Sequence, residues 1–204
     1  VMNGLFWGRE AELKDLARID QQKKAGLVVC LGRRRIGKSR LIQEFAKNIP
    51  NFIEIQGLGP RESQTNQDQL NWFAKELARQ TKMPEVIYKD WGDAFQVLAT
   101  YFGNKHTLIF LDEISWMGQH DPDFAGKLKI AWDLYFKKNS KLIYYGGDSD
   151  APGKAASYLI TQQFGFKHIN PVDRLLPETK DWADWAKITN LKTIEDYFKL
   201  KNII

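Results

Sequence analysis

Gly32-Arg33-Arg34-Arg35-Ile36-Gly37-Lys38-Ser39 is the stretch on which the fold turns. It fits G-x-x-x-x-G-K-[ST], the P-loop or Walker A pattern, at every fixed position. Glycines let a backbone wrap an anion closely and aim its N–H groups inward. The apolar run 27–31 precedes the loop and reads as a strand. Leu41, Ile42, Phe45 and Ala46 follow it at helical spacing. Strand, glycine loop and helix in that order put the loop at a helix N-terminus, where the dipole favours anions. In this reading Gly32, Arg33, Arg34, Arg35, Ile36, Gly37, Lys38, Ser39 and Arg40 form a nucleotide loop. Lys38 brings a point charge to the β- and γ-phosphates, and the Ser39 hydroxyl ligates Mg²⁺.

A second element lies about 75 residues downstream. Leu108-Ile109-Phe110-Leu111-Asp112-Glu113 is an apolar strand ending in two carboxylates. With a P-loop in the same chain it reads as Walker B. Asp112 would hold Mg²⁺ through water. Glu113 would polarise the attacking water as a general base.

Between and beyond these motifs, short apolar runs alternate with amphipathic stretches. Candidate strands fall at 27–31, 52–56, 107–111, 141–145 and, more weakly, 167–172. Candidate helices fall at 10–24, 38–48, 66–81, 91–102, 123–137 and 154–164. The runs at 28–29 and 108–111 are apolar on both faces, as in a parallel strand covered by helices on both sides. The alternation predicts a three-layer, doubly wound parallel α/β sheet. Trp72, Trp91, Trp116 and Trp132 sit in amphipathic stretches and are expected in the core.

Composition bounds the rest. The chain has 204 residues, with 43% hydrophobic and 27% charged, enough for a core without disulfides or a structural metal. Cys30 is the single cysteine, which excludes a disulfide framework and a multi-cysteine zinc site. His106, His120 and His168 show no ligand spacing, so zinc catalysis is not expected. No apolar run approaches the roughly 20 residues of a membrane span. No secretory signal is visible either, and a cytoplasmic protein is the default. Net charge is +5; residues 1–50 hold 11 Lys/Arg against 5 Asp/Glu, so the positive excess is at the front. That suits a nucleic acid or one polyphosphate. Because Arg33, Arg34 and Arg35 lie inside the loop, solvated or nucleotide-proximal roles are favoured over nucleic-acid contact. The oligomeric state is left open.

Phe6-Trp7-Gly8-Arg9-Glu10, the glycine loop, and Leu111-Asp112-Glu113-Ile114-Ser115-Trp116-Met117 occur in that order. Together they resemble the archaeal-type AAA+ ATPases, relatives of the STAND class, over about residues 4–143. The resemblance implies an additional-strand P-loop core with strand order 5-1-4-3-2, and ATP with Mg²⁺ as ligands. It further implies that Phe6, Trp7, Gly8 and Arg9 line the base pocket.

The pattern changes after the fourth strand. Tyr144-Tyr145-Gly146-Gly147-Asp148-Ser149-Asp150 leads into Gly153-Lys154-Ala155-Ala156, and Lys180-Asp181-Trp182-Ala183-Asp184-Trp185 follows. This segment, about 141–187, resembles the C-terminal half of a Toprim domain, the metal-binding unit of primases and topoisomerases. The resemblance implies a Mg²⁺ site at Asp148 and Asp150, an alternative to Ser39 and Asp112. A Toprim site also wants an earlier glutamate; Glu113, the obvious candidate, already serves the ATPase reading. A chimera and a divergent or truncated ATPase both stay open as origins.

The expectation is one P-loop NTPase-like domain over 1–204, with 144–204 as a Toprim-like C-terminal part of the same sheet. Its expected function is ATP·Mg²⁺ binding with slow hydrolysis. The alternatives are a Toprim-like Mg²⁺-dependent nucleic-acid module and a recombined or designed scaffold without evolved activity.

Overall fold

Strands alternating with helices order the chain: those ending at Gly32, Gln56 and Asp112 are each followed by a helix. The computed structural model describes residues 9–22, 24–32, 36–138, 142–148 and 168–169, of which 31–32, 142–148 and 168–169 are described by backbone alone. The elements are α1 (Glu10–Asp20), β1 (Gly26–Gly32), α2 (Lys38–Ala46), β2 (Asn51–Gln56), α3 (Asn66–Gln80), α4 (Trp91–Phe102), β3 (Thr107–Asp112), α5 (Ile114–Met117), α6 (Phe124–Leu134), β4 (Leu142–Asp148) and β5 (His168–Ile169). The described strands form one sheet in the order β2-β3-β4-β1-β5, and every pairing is parallel. Among the described residues no helix is long and apolar enough to cross a membrane.

The sheet is covered on both faces, as its sequence requires. Leu27, Val29, Ile53, Ile55, Ile109 and Leu111 pack on one face against α3, α4, α5 and α6. Val28, Leu108 and Phe110 pack on the other against α1 and α2. Every residue of β3 is buried, in keeping with a strand flanked by β2 and β4. Trp91, fully buried, lies edge-on to Phe73 and Phe124, and its indole N–H donates to Asn66 Oδ1 at 2.9 Å. That bond satisfies the one polar atom the ring carries into the core. Trp132 is also buried, whereas Trp72 and Trp116 are half-buried.

Local chemistry sets the helix ends. Thr65 and Asp68 form a reciprocal capping box at α3, and Asp90 caps α4 through the Asp93 amide. Helix α1 ends at Asp20, short of the expected residue 24. Its chain must return to start β1 at Gly26, and the Asp20 carboxylate is held 2.6 Å from His106 Nε2. Helix α6 likewise stops at Leu134, not 137. Tyr135 leaves the helical region (φ −122°, ψ −57°), and the 3₁₀ turn Phe136–Lys138 sends Phe136 into the core. The one-turn helix α5 had no counterpart in the sequence pattern. The expected helix at 154–164 and the tail from 175 lie outside the described residues.

Parallel pairing brings all the carboxyl ends to one edge. Gly32 is in register with Asp148, Gly146 with Asp112, and Asp112 with Gln56. In open α/β sheets this edge is where ligands bind.

Candidate nucleotide site

Gly37 ends the loop in the left-handed region (φ 83°, ψ 27°) and caps α2. Among the described residues, a Cβ there would meet nothing within 4 Å beyond its own chain neighbours. The demand for glycine is therefore conformational, about 1–2 kcal/mol against a side chain. Lys38 and Ser39 open α2, so the first amides of that helix face the end of β1. Lys38 is 8% exposed and Ile36 is buried, while Arg40 is exposed. Gly32 ends β1. Arg33, Arg34 and Arg35 lie outside the described residues.

The two motifs meet. Ser39 Oγ donates to Asp112 Oδ2 at 2.9 Å, across 73 positions of sequence. Asp112 is 8% exposed at the end of β3. A hydroxyl and a carboxylate are hard oxygen donors of the kind Mg²⁺ takes, and this cation usually completes its shell with phosphate oxygens and water. The donor set thus fits Mg²⁺ shared with a nucleotide. Glu113 follows directly, half-buried, in the left-handed region (φ 51°, ψ 46°).

Arg9 is also a left-handed residue (φ 65°), at the start of α1. Its guanidinium donates to the carbonyl of Ile36 inside the loop and lies 3.9 Å from the buried Glu12. The structure therefore places Arg9 on the loop backbone. Phe6, Trp7 and Gly8, the other residues expected at the base, lie outside the described residues. Asp148 ends β4 opposite Gly32, and its position is known from backbone alone. Asp150 lies outside the described residues, as does the rest of the Toprim-like segment apart from 142–148 and 168–169.

Electrostatics along the edge follow from burial. Burial pushes the Cys30 thiol up to about 11, against the pull of the Lys38 and Arg9 charges. A neutral thiol of this kind packs as a small apolar residue. Glu54, on β2, is held above the ordinary glutamate range mainly by desolvation. Gln43 Nε2 donates to both its oxygens, at 2.9 and 3.1 Å, which works the other way, and the Asp112 charge adds to the rise. Sequence reasoning passed over Glu54. An acid in the middle of an apolar strand was the signal available.

No protein-family profile matches the chain. The Methanocaldococcus jannaschii protein MJECL04 is 25% identical over 200 residues, covering 94% of this chain and 42% of its own length. The chain thus spans less than half of that relative. A single protein matching the ATPase-like front and the Toprim-like segment together gives no support to a chimera. The ATP-binding protein MJ0423 of the same organism is 43% identical over 44 residues, which are 22% of this chain and 75% of that protein.

Solved structures share the fold. The Aeropyrum pernix ORC2 protein, solved in ADPNP–ADP complexes, superposes with a TM-score of 0.57 at 19% identity, over 83% of this chain and 50% of its own. The Walker-type ATPase PABY2304 of Pyrococcus abyssi gives 0.56 at 16%, over 94% and 61%. Cdc6p from Pyrobaculum aerophilum gives 0.54 at 14%, over 83% and 46%. These likenesses show the fold, and none of the three is a Toprim protein. The chain carries the P-loop ATPase fold shared with archaeal ORC and Cdc6 proteins, and over the 44 matched residues it belongs to the family of the ATP-binding protein MJ0423.

Proposed function

We propose that the chain is a single P-loop NTPase-like domain that binds ATP with Mg²⁺ at the β1–α2 loop and hydrolyses it slowly. The observation that carries this reading is the 2.9 Å bond between Ser39 Oγ and Asp112 Oδ2, which joins the two motifs at the carboxyl edge of the sheet. The described order β2-β3-β4-β1-β5 supports an additional-strand core of order 5-1-4-3-2.

Each residue has a task. The amides at the start of α2 and the Lys38 ammonium receive phosphate oxygens. Ser39 and Asp112 would hold Mg²⁺, which neutralises charge on the β- and γ-phosphates. Glu113 takes a proton from the water that attacks the γ-phosphorus. Arg9, bonded to the Ile36 carbonyl, holds the loop backbone from the side of α1. An arginine reaching the γ-phosphate from a partner contributes about 10³–10⁵ in rate, so turnover of the isolated domain is slow. Nucleotide is the proposed partner, ahead of nucleic acid.

ATP titrations with and without Mg²⁺ test the reading. Mg²⁺ should tighten ATP binding to the wild type, and Ser39→Ala should lose most of that gain. Equal Mg²⁺ enhancement in both proteins would remove Ser39 from the metal site.

A further inference from the structure

The segment that follows β2 is fastened from α3. Trp72 Nε1–H donates to the Gln56 carbonyl at 2.9 Å. Gln69, 1% exposed, grips Leu58 in both directions: its Nε2 donates to the Leu58 carbonyl and its Oε1 accepts the Leu58 amide, each at 2.9 Å. Between these anchors the Gly57 amide donates to the Asp112 carbonyl at 2.9 Å, one step beyond the Gln56–Asp112 register.

Gly57 then presents a bare Cα to the residue after Asp112. A Cβ there would lie 2.7 Å from the Glu113 carbonyl oxygen and 3.1 Å from both Met117 N and Met117 Cγ. Two of those three neighbours are backbone, so relief would have to come from moving the kink itself. The Glu113 carbonyl in turn accepts the amides of Trp116 at 2.9 Å and Met117 at 3.4 Å. It thereby nucleates α5 while Glu113 stays in the left-handed region that side chains rarely occupy.

We propose that Gly57 and Gln69 are positioning residues for Glu113. Gln69 fixes the height of the 56–58 segment, Gly57 leaves room for the Glu113 carbonyl, and the kink aims the carboxylate for proton transfer. The functional half of this inference rests on the hydrolytic role of Glu113 proposed above. A shift of the carboxylate by a few tenths of an ångström lowers turnover without touching the phosphate cradle of α2.

Gly57→Ala and Gln69→Leu in the whole chain test it, with amide hydrogen exchange in the ATP-free protein and steady-state kinetics as readouts. Exchange at Trp116 should quicken at least tenfold while Ile109 and Phe110 of β3 keep their protection. The kcat should fall at least tenfold with ATP Kd and KM within about twofold. Should Gly57→Ala not fold, Trp72→Phe keeps an aromatic ring but removes the N–H bonded to Gln56 along with part of the ring, and should quicken Trp116 exchange about threefold. Unchanged Trp116 exchange in a folded variant overturns the clamp, as does an unchanged kcat. A wild type whose turnover survives Glu113→Gln, or that binds ATP without hydrolysing it, overturns the role of Glu113 instead. Trp116 exchange then decides the clamp by itself.

Discussion

Replacing Glu113 by alanine and by glycine gives a change of sign that depends only on the backbone. At φ 51° and ψ 46° this residue lies in the left-handed region, where an L side chain costs about 1–2 kcal/mol. Alanine keeps that cost and glycine removes it. Glycine brings its own penalty of roughly 0.5–1 kcal/mol in unfolded-chain entropy. The difference leaves Glu113→Gly about 0.5–1 kcal/mol more stable than Glu113→Ala. Comparing these two variants with each other also cancels whatever the glutamate side chain itself contributes. At a right-handed helical position the same exchange would go the other way by about 1 kcal/mol. Urea melts of the two variants read the difference directly. Thermal melts should show the glycine variant higher by roughly 1–4 °C for a domain of this size. Both variants should lack turnover, since neither can accept a proton from water. A glycine variant less stable than the alanine one would show that residue 113 is not left-handed. The account of how α5 starts would then fail with it.

Two further outcomes follow from the electrostatics of the edge. The pKa of Glu54 is raised in the fold, so the protonated form is the favoured one and the ionised form costs stability. Glu54→Gln should therefore melt higher than wild type at pH 7–8, and the gap should close as pH falls towards the ordinary glutamate value of 4.5. A gap that widens on acidification would reverse the sign and contradict the desolvation argument. For the Toprim-like acids, Asp148→Asn with Asp150→Asn should leave the Mg²⁺-induced shift of the ATP-free melt unchanged. A shift lost in the double variant would assign a metal to that pair.

Much of the core was legible because periodicity and burial agree there. The runs around Val28-Val29 and 108–111 are apolar on both faces, and both strands are covered by helices on both sides. The glycine loop was legible because Gly37 must take a conformation that few other residues tolerate. What escaped depends on contacts between side chains and distant backbone. Nothing near Arg9 in sequence announces that its guanidinium reaches the Ile36 carbonyl. Likewise Gln69 reads as one more polar residue of an amphipathic helix. Its burial follows from a partner, the backbone of Leu58, that helical spacing does not encode. The break at Tyr135 has the same origin, since the pull of Phe136 into the core outweighs continued helix.

The central claim is that the β1–α2 loop binds ATP, and titration of wild type and Lys38→Ala with ATP and Mg²⁺ tests it most directly. Lys38 is the buried cation at the start of α2, and its loss should weaken binding at least tenfold, about 1.4 kcal/mol or more. The account predicts saturable binding of one ATP per chain to the wild type and that loss in the variant. Equal affinity in the two proteins, or no binding to the wild type, would contradict it.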